Sequence, residues 1–234
     1  MADFVHLTNK TEYSLSEGAL PIARIAELCQ SFSMPAVGIS DNNNMFGALE
    51  FSEQIAKVGV QPILGCNIKI KTPKEYLHEN IEDNDLYFYL NIFSKNNEGY
   101  ENLLKCVSNA YTLNKGNAYV TVEDLIKFKD GLIILSGGNN SILTHSTGHM
   151  ITKQSQQFIS DFKKEFNDNF YIEIQRFDSI DYRLNEEAVL NLAYDHQIPL
   201  VATNDAYFEG PEHFEAHDAL MCIEKKLFVS QADR

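Results

Sequence analysis

Ala36-Val37-Gly38-Ile39-Ser40-Asp41-Asn42-Asn43-Asn44 is the stretch on which the fold reading turns. A compact apolar run followed by an abrupt polar break is the pattern of a short buried strand that ends in a loop. Upstream, Ile22, Ile25, Ala26, Cys29 and Phe32 recur at helical spacing. Downstream, Phe46 to Val58 does the same through Leu49, Ile55 and Ala56. The strand is therefore flanked by helices, and the rest of the chain repeats the theme.

Phe4-Val5-His6-Leu7 is a short apolar opening, and Pro62-Ile63-Leu64-Gly65-Cys66 begins another strand. Leu86 to Phe93 is aromatic and β-prone. Tyr100, Leu103, Leu104, Val107 and Tyr111 form a helical stripe, and Thr121 is placed to cap a helix that carries an acidic residue at N3. Gly131 to Leu135, Phe170 to Ile174 and Ile198 to Ala202 read as further strands. Between them, helices are marked by Phe158, Ile159, Phe162 and Phe166 and by Leu184, Ala188, Val189 and Leu192. Pro211 opens a last helix that ends near Ile223. Such β–α alternation predicts an α/β fold with a mostly parallel sheet, either doubly wound or barrel-like. Lys71 to Asp85 and Asn139 to Met150 read as loops, and no Pro- or Gly-rich linker divides the chain, so residues 1–234 are expected to form one domain.

The chain has 234 residues with Lys+Arg 19 and Asp+Glu 33, a formal net charge of −14. That balance argues against tight direct binding to a polynucleotide backbone, which needs cations to displace counterions. No apolar run is long enough for a membrane span, and the N-terminus lacks a secretory pattern. Cys29, Cys66, Cys106 and Cys222 all lie in apolar segments without a CxxC pair, so buried reduced thiols in a cytoplasmic protein are expected.

Polar residues gather where the apolar runs end: His6, Thr8 and Lys10; Asp41 to Asn44; Asn67; Ser136 to Asn140; Gln175; Asn204 and Asp205. In parallel α/β architectures the carboxyl ends of strands face the site. Singly, such residues are turn formers and caps; as a set they predict one shared pocket or a former one. Ser136-Gly137-Gly138-Asn139 is either a phosphate-binding nest or a plain turn. His145/His149 and His213/His217 have i, i+4 spacing without the Glu of a metalloprotease signature, and read as surface or structural histidines. No P-loop, dinucleotide fingerprint or nucleophile elbow is present. Tyr87, Phe88 and Tyr89 could stack on single strands beside Lys69, Lys71 and Lys74, but core packing is the expectation for this cluster.

These phrases, taken in order, resemble the polymerase-and-histidinol-phosphatase (PHP) domains found at the N-terminus of bacterial replicative polymerase III alpha subunits. The resemblance is carried by Phe4-Val5-His6-Leu7, Glu12-Tyr13-Ser14-Leu15, Gly18-Ala19, Ile39-Ser40-Asp41 and Pro62-Ile63-Leu64-Gly65. It continues through Gly99-Tyr100-Glu101-Asn102-Leu103, Gly131 to Gly138, Val201-Ala202-Thr203-Asn204-Asp205 and Glu215 to Leu220. It implies a distorted, seven-stranded, TIM-like β/α barrel. Metal-competent members hold several divalent cations on His, Asp, Glu and Cys, which activate water and neutralise phosphate charge.

This chain departs from that pattern at nearly every ligand position. His6 fits the start of the first motif, but Thr8 and Lys10 stand where its two histidines belong. Asp41 is kept and Asn42 replaces the next His; Asn67 replaces the Glu; Tyr89 takes the place of a strand His. Gly138 stands near the expected Cys and Phe177 near the next His; Asp205 is kept while Tyr207 replaces the last His. The resemblance therefore implies no catalytic residue and no metal bound by this domain, with magnesium serving only the parent polymerase. Lys10 either substitutes electrostatically for a lost cation, paired with Asp41 or Asp205, or faces solvent in a loop. The expected role is a scaffold within an N-terminal fragment of a DNA-directed DNA polymerase, and such a fragment can leave its barrel incomplete at the C-terminus. Its expected partners are the proofreading exonuclease subunit and the rest of the polymerase III holoenzyme, with DNA held through the parent polymerase and no membrane. A residual metal-dependent phosphoesterase or 3′–5′ exonuclease is the rival reading, and a stand-alone acidic binding module a third.

Overall fold

Side-chain alternation along the strands sets which residues meet. In the computed structural model, residues 4–77, 86–114, 116–138, 141–145, 151–176 and 180–231 are described. They fall into two compact units, Met1–Leu64 with Asn204–Arg234, and Gly65–Thr203.

The first unit contains α1 (Ile22–Ser31), β1 (Ala36–Asn42), α2 (Ala48–Lys57) and, after a 3₁₀ turn at Pro211–His213, α8 (Phe214–Lys225). Its core is made by Leu20, Ile22, Ile25 and Cys29 against Val37 and Ile39 of β1 and Phe51 and Ile55 of α2. Ile22, Ile25, Ala26 and Cys29 of the spacing read from the sequence are thus the buried stripe of α1, while Phe32 caps the helix and is exposed. The opening Phe4–Leu7 is not a strand. It lies beside β1 through one backbone bond, Gly38 N–H to the His6 carbonyl at 2.8 Å.

The second unit contains β2, which runs Gln61–Lys71 and so begins in the first, then β3 (Tyr87–Ser94), α3 (Asn97–Leu113), α4 (Val122–Lys127) and β4 (Leu132–Leu135). α5 (Ile142–His145), α6 (Lys153–Phe166), β5 (Phe170–Ile174), α7 (Ile180–Asp195) and β6 (Leu200–Ala202) follow. The predicted capping of α4 is present: Thr121 Oγ1 accepts from the Asp124 N–H at 3.1 Å.

Six strands form among the described residues, where the family resemblance implied seven. The sheet is mixed: β2 pairs with β3 and β3 with β4 in antiparallel sense, while β4–β5 and β5–β6 are parallel. A parallel pair needs a long crossover, usually a helix. Between β2 and β3 the described residues supply only a 3₁₀ turn at Lys74–Tyr76.

One face of this sheet is apolar: Cys66, Ile68 and Ile70 lie opposite Ile92, Leu90 and Phe88, all fully buried. Phe88 packs edge-on to Phe158 of α6 at 5.0 Å, and Phe158, Phe162 and Phe170 continue the aromatic core. All four cysteines are free and buried, as composition predicted, and burial pushes the Cys106 thiol up to about 12.

The Phe158→Ala variant should lose about 3–5 kcal/mol of unfolding free energy, because it leaves a cavity at a fully buried aromatic junction. Phe32→Ala, at a side chain 67% exposed, should change stability by less than about 0.5 kcal/mol. Urea denaturation of both variants compares the two.

Candidate functional site

In the first unit the strand-end residues come together around Asp41. The segment from Thr8 to Thr11 is held on both sides: Ser40 N–H donates to Asn9 O at 3.0 Å, and Ala206 N–H donates to Thr8 O at 3.0 Å. Lys10 N–H donates in return to Ala206 O at 2.9 Å. Asn9 tightens the turn by donating through Nδ2 to the Gly38 and His6 carbonyls, at 2.8 and 3.1 Å. This lattice fixes His6, Thr8, Lys10, Asp41 and Asp205 in one neighbourhood.

Lys10 is buried, with 2% exposure. Its Nζ donates to the Ser40 carbonyl, one residue before Asp41, and its charge opposes the upward shift that burial and Glu224 impose on the Glu17 carboxyl. The solvent-facing reading of Lys10 is therefore excluded. Asp41 is also buried, and its carboxylate accepts from Thr11 N–H, Thr11 Oγ1 and Ser14 Oγ, each at 2.7 Å. Asn42 donates through Nδ2 to Glu17 and through its backbone N–H to Ser14 Oγ, the latter at 3.2 Å. Tyr207 contributes its carbonyl to Ala19 N–H at 2.8 Å.

Three buried polar atoms lack partners here: His6 Nδ1, Thr8 Oγ1 and Asp205 Oδ1. Burial holds the His6 imidazole below its ordinary pKa, so it is neutral at neutral pH. His217 is not half of a metal pair with His213: its Nε2 lies 2.7 Å from the Glu17 carbonyl, while His213 Nδ1 lies 3.7 Å from Glu212. A cavity of about 330 Å³, lined mainly by apolar side chains such as Ile25, Phe32, Met34 and Phe208 together with His6 and Asn9, belongs to the same unit.

In the second unit the remaining site positions organise around a residue that sequence reading passed over. Glu173 of β5 is 3% exposed. Its carboxylate accepts from Asn91 Nδ2 at 3.0 and 3.2 Å, from Gln175 Nε2 at 2.9 Å, from Gly137 N–H at 3.1 Å and from the Thr203 hydroxyl. Asn67 joins by donating to Asn91 Oδ1 at 2.8 Å. The Ser136-Gly137-Gly138 turn thus donates one backbone N–H, that of Gly137, to a carboxyl group, and that group is the protein's own Glu173. Gly137 and Gly138 both have positive φ, +96° and +54°. A Cβ on Gly138 would stand 2.4 Å from Gln175 Oε1, so the space where a side chain would project is filled by Gln175.

Tyr89 lies half-buried opposite Lys69. Phe177 and His149 lie outside the described residues. The signal for Glu173 was available: a lone acid inside the apolar run Phe170 to Ile174 is a buried charge, and buried charges have partners. Thr11 and Ser14 gave no comparable sign, since hydroxyl residues are ordinary in loops.

Residues 6–177 match the family model of the PHP domain. The chain belongs to the PHP domain family. PHP relatives named DNA polymerase III subunit alpha align over 99% of this chain, at 36% identity in Caulobacter vibrioides and 33% in Rickettsia felis. The chain spans about a fifth of the length of those relatives. Solved structures share the PHP fold at low identity. One, from Bifidobacterium adolescentis and assigned as a metal-dependent phosphoesterase, has a TM-score of 0.61 at 12% identity, covering 90% of each chain. Another, an amidohydrolase from Chromobacterium violaceum with bound sulfate and no metal, has a TM-score of 0.57 at 11% identity, covering 92% of this chain and 96% of its own. No helix among the described residues is long and apolar enough to cross a membrane.

Lys10→Met should destabilise the chain by about 2–4 kcal/mol, because it removes a buried cation from a site that keeps its carboxylate. Asp41→Ala should cost at least as much, since it strands three donors at once. Unfolding midpoints in urea read both effects.

Proposed function

We propose that this PHP domain is the non-catalytic, metal-degenerate PHP module of a replicative polymerase III alpha subunit, retained for shape and contacts. The buried Lys10 ammonium carries the reading. A divalent-cation cluster needs carboxylates and neutral imidazoles that converge with free lone pairs. Here the Lys10 ammonium is fixed on the Ser40 carbonyl, one residue before Asp41, and the Asp41 lone pairs are engaged by Thr11 and Ser14. Among the described residues no group of three His, Cys, Asp or Glu side chains is arranged to hold a cation. In the second unit Asn67 hydrogen-bonds Asn91, and Gly138 has no side chain to offer. The residue set therefore does not fit the family's metal cluster, and no hydrolytic step is assigned to it.

As a module, the domain is inferred to dock the proofreading exonuclease subunit within the holoenzyme. The support is the family context of the relatives, together with apolar surface: the cavity of the first unit, and exposed Phe214, Ile223, Phe228 and Val229. DNA synthesis, magnesium and the main grip on DNA belong in this reading to the parent polymerase, in the cytoplasm. A second reading, a residual metal-dependent phosphoesterase or 3′–5′ exonuclease, is favoured by one observation, the unpartnered His6, Thr8 and Asp205 atoms.

Release of nucleotides from end-labelled oligonucleotides in manganese separates the two. The scaffold reading expects none above background, and release abolished by Asp205→Ala would establish the rival. Size-exclusion co-elution of the chain with the exonuclease subunit tests docking, and separate elution at micromolar concentration would reject it.

A further inference from the structure

At the Lys69–Lys71 end of β2, the face of the second unit's sheet opposite its apolar core carries lysines and tyrosines. In cross-strand register Asn67 faces Asn91, Lys69 faces Tyr89 and Lys71 faces Tyr87. Neighbouring Ile68, Ile70, Phe88 and Leu90 point to the core and are buried, so the alternation places the lysines and tyrosines together on the other side. Of the expected aromatic core cluster, only Phe88 is in the core; Tyr87 and Tyr89 are half-exposed.

The segment before α4 widens this face. Val120 is bonded to β2 on both sides, its N–H donating to Lys69 O and its carbonyl accepting from Lys71 N–H, each at 2.9 Å. This places Tyr119 5.4 Å from the Tyr87 ring. Lys69 Nζ lies 4.3 Å from the centre of the Tyr87 ring, and Lys71 Nζ lies 5.3 Å from that of Tyr119. Asn117 bridges the group, accepting from Lys69 Nζ at 3.2 Å and donating to Tyr87 Oη at 2.9 Å. With its oxygen accepting, the Tyr87 hydroxyl keeps its own proton for donation.

We propose that this face is a weak platform for a single-stranded polynucleotide, with Tyr87 and Tyr119 offering rings to bases and Lys69 and Lys71 offering charge to phosphates. Aromatic side chains interleaved with cations on a sheet are the chemistry that single strands recognise without sequence preference. Two adjacent lysines are a local exception in a chain of net charge −14, and they limit the affinity to a few contacts. The dissociation constant should be on the order of 10⁻⁵ M at low ionic strength. This goes beyond the scaffold reading and does not depend on it, since binding is measured without divalent cations or the exonuclease.

Fluorescence anisotropy with a labelled dodecameric oligo(dT) tests the platform on the 234-residue chain, with circular dichroism as the folding control. Saturable binding is expected, with log K falling against log salt at a slope of about −1.4 for two phosphate contacts. Lys69→Ala with Lys71→Ala should flatten that slope and weaken binding about tenfold or more. Tyr87→Ala with Tyr119→Ala should weaken it by about tenfold per ring, while the corresponding Phe variants retain most of it. The proposal fails if oligo(dT) does not bind saturably, if a duplex of equal length binds as well, or if folded variants of both pairs bind like the parent chain. Lys69→Glu with Lys71→Glu provides a second charge test should the alanine pair misfold.

Discussion

Burying an ionisable group without partners is prohibitively unfavourable, and this chain buries at least three such groups. Lys10 and Asp41 in one unit and Glu173 in the other are almost sealed from solvent. Each is surrounded by hydrogen bonds from backbone groups, hydroxyls and amides. Those bonds dictate local structure well beyond the charges themselves. Asp41 draws in the loop that carries Thr11 and Ser14, and Glu173 ties β3, β5 and the Gly137 turn to one point. The strand ends are ordered because these charges must be satisfied.

In a metal-dependent member of a hydrolase family, cations take part in satisfying carboxylates of this kind. Here the protein does it with its own atoms. Thr11 and Ser14 donate to one carboxyl group, and an amide network surrounds the other. In both places carboxyl oxygens are engaged by the protein's own donors, while His6 Nδ1, Thr8 Oγ1 and Asp205 Oδ1 stay outside these bonds.

Most of the architecture was legible in the sequence. The apolar period placed α1, α2, α3 and α6 and the runs that became β1 to β6, and the Thr121 cap was readable from two residues. Strand direction was not. The antiparallel setting of β3 depends on how the chain between Lys71 and Tyr87 returns, which periodicity does not encode. Nor did Phe4–Leu7 become a strand, although its apolar composition is strand-like, because its backbone bonds to its neighbour are too sparse. At the site, the burial of Lys10 and the hub role of Glu173 are tertiary facts that residue types alone do not carry. The outward turn of Tyr87 and Tyr89 was half-legible, since alternation demanded that neighbours of Phe88 leave the core.

The mutual fit of Gly138 and Gln175 has a consequence for how such a domain can evolve. The glycine leaves a void and the glutamine side chain occupies it, while also bonding Glu173 and Thr203. A side chain at 138 would collide with Gln175, and clearing Gln175 would loosen the hub. Each substitution alone is unfavourable although the paired change need not be, so the two positions are free to vary only together.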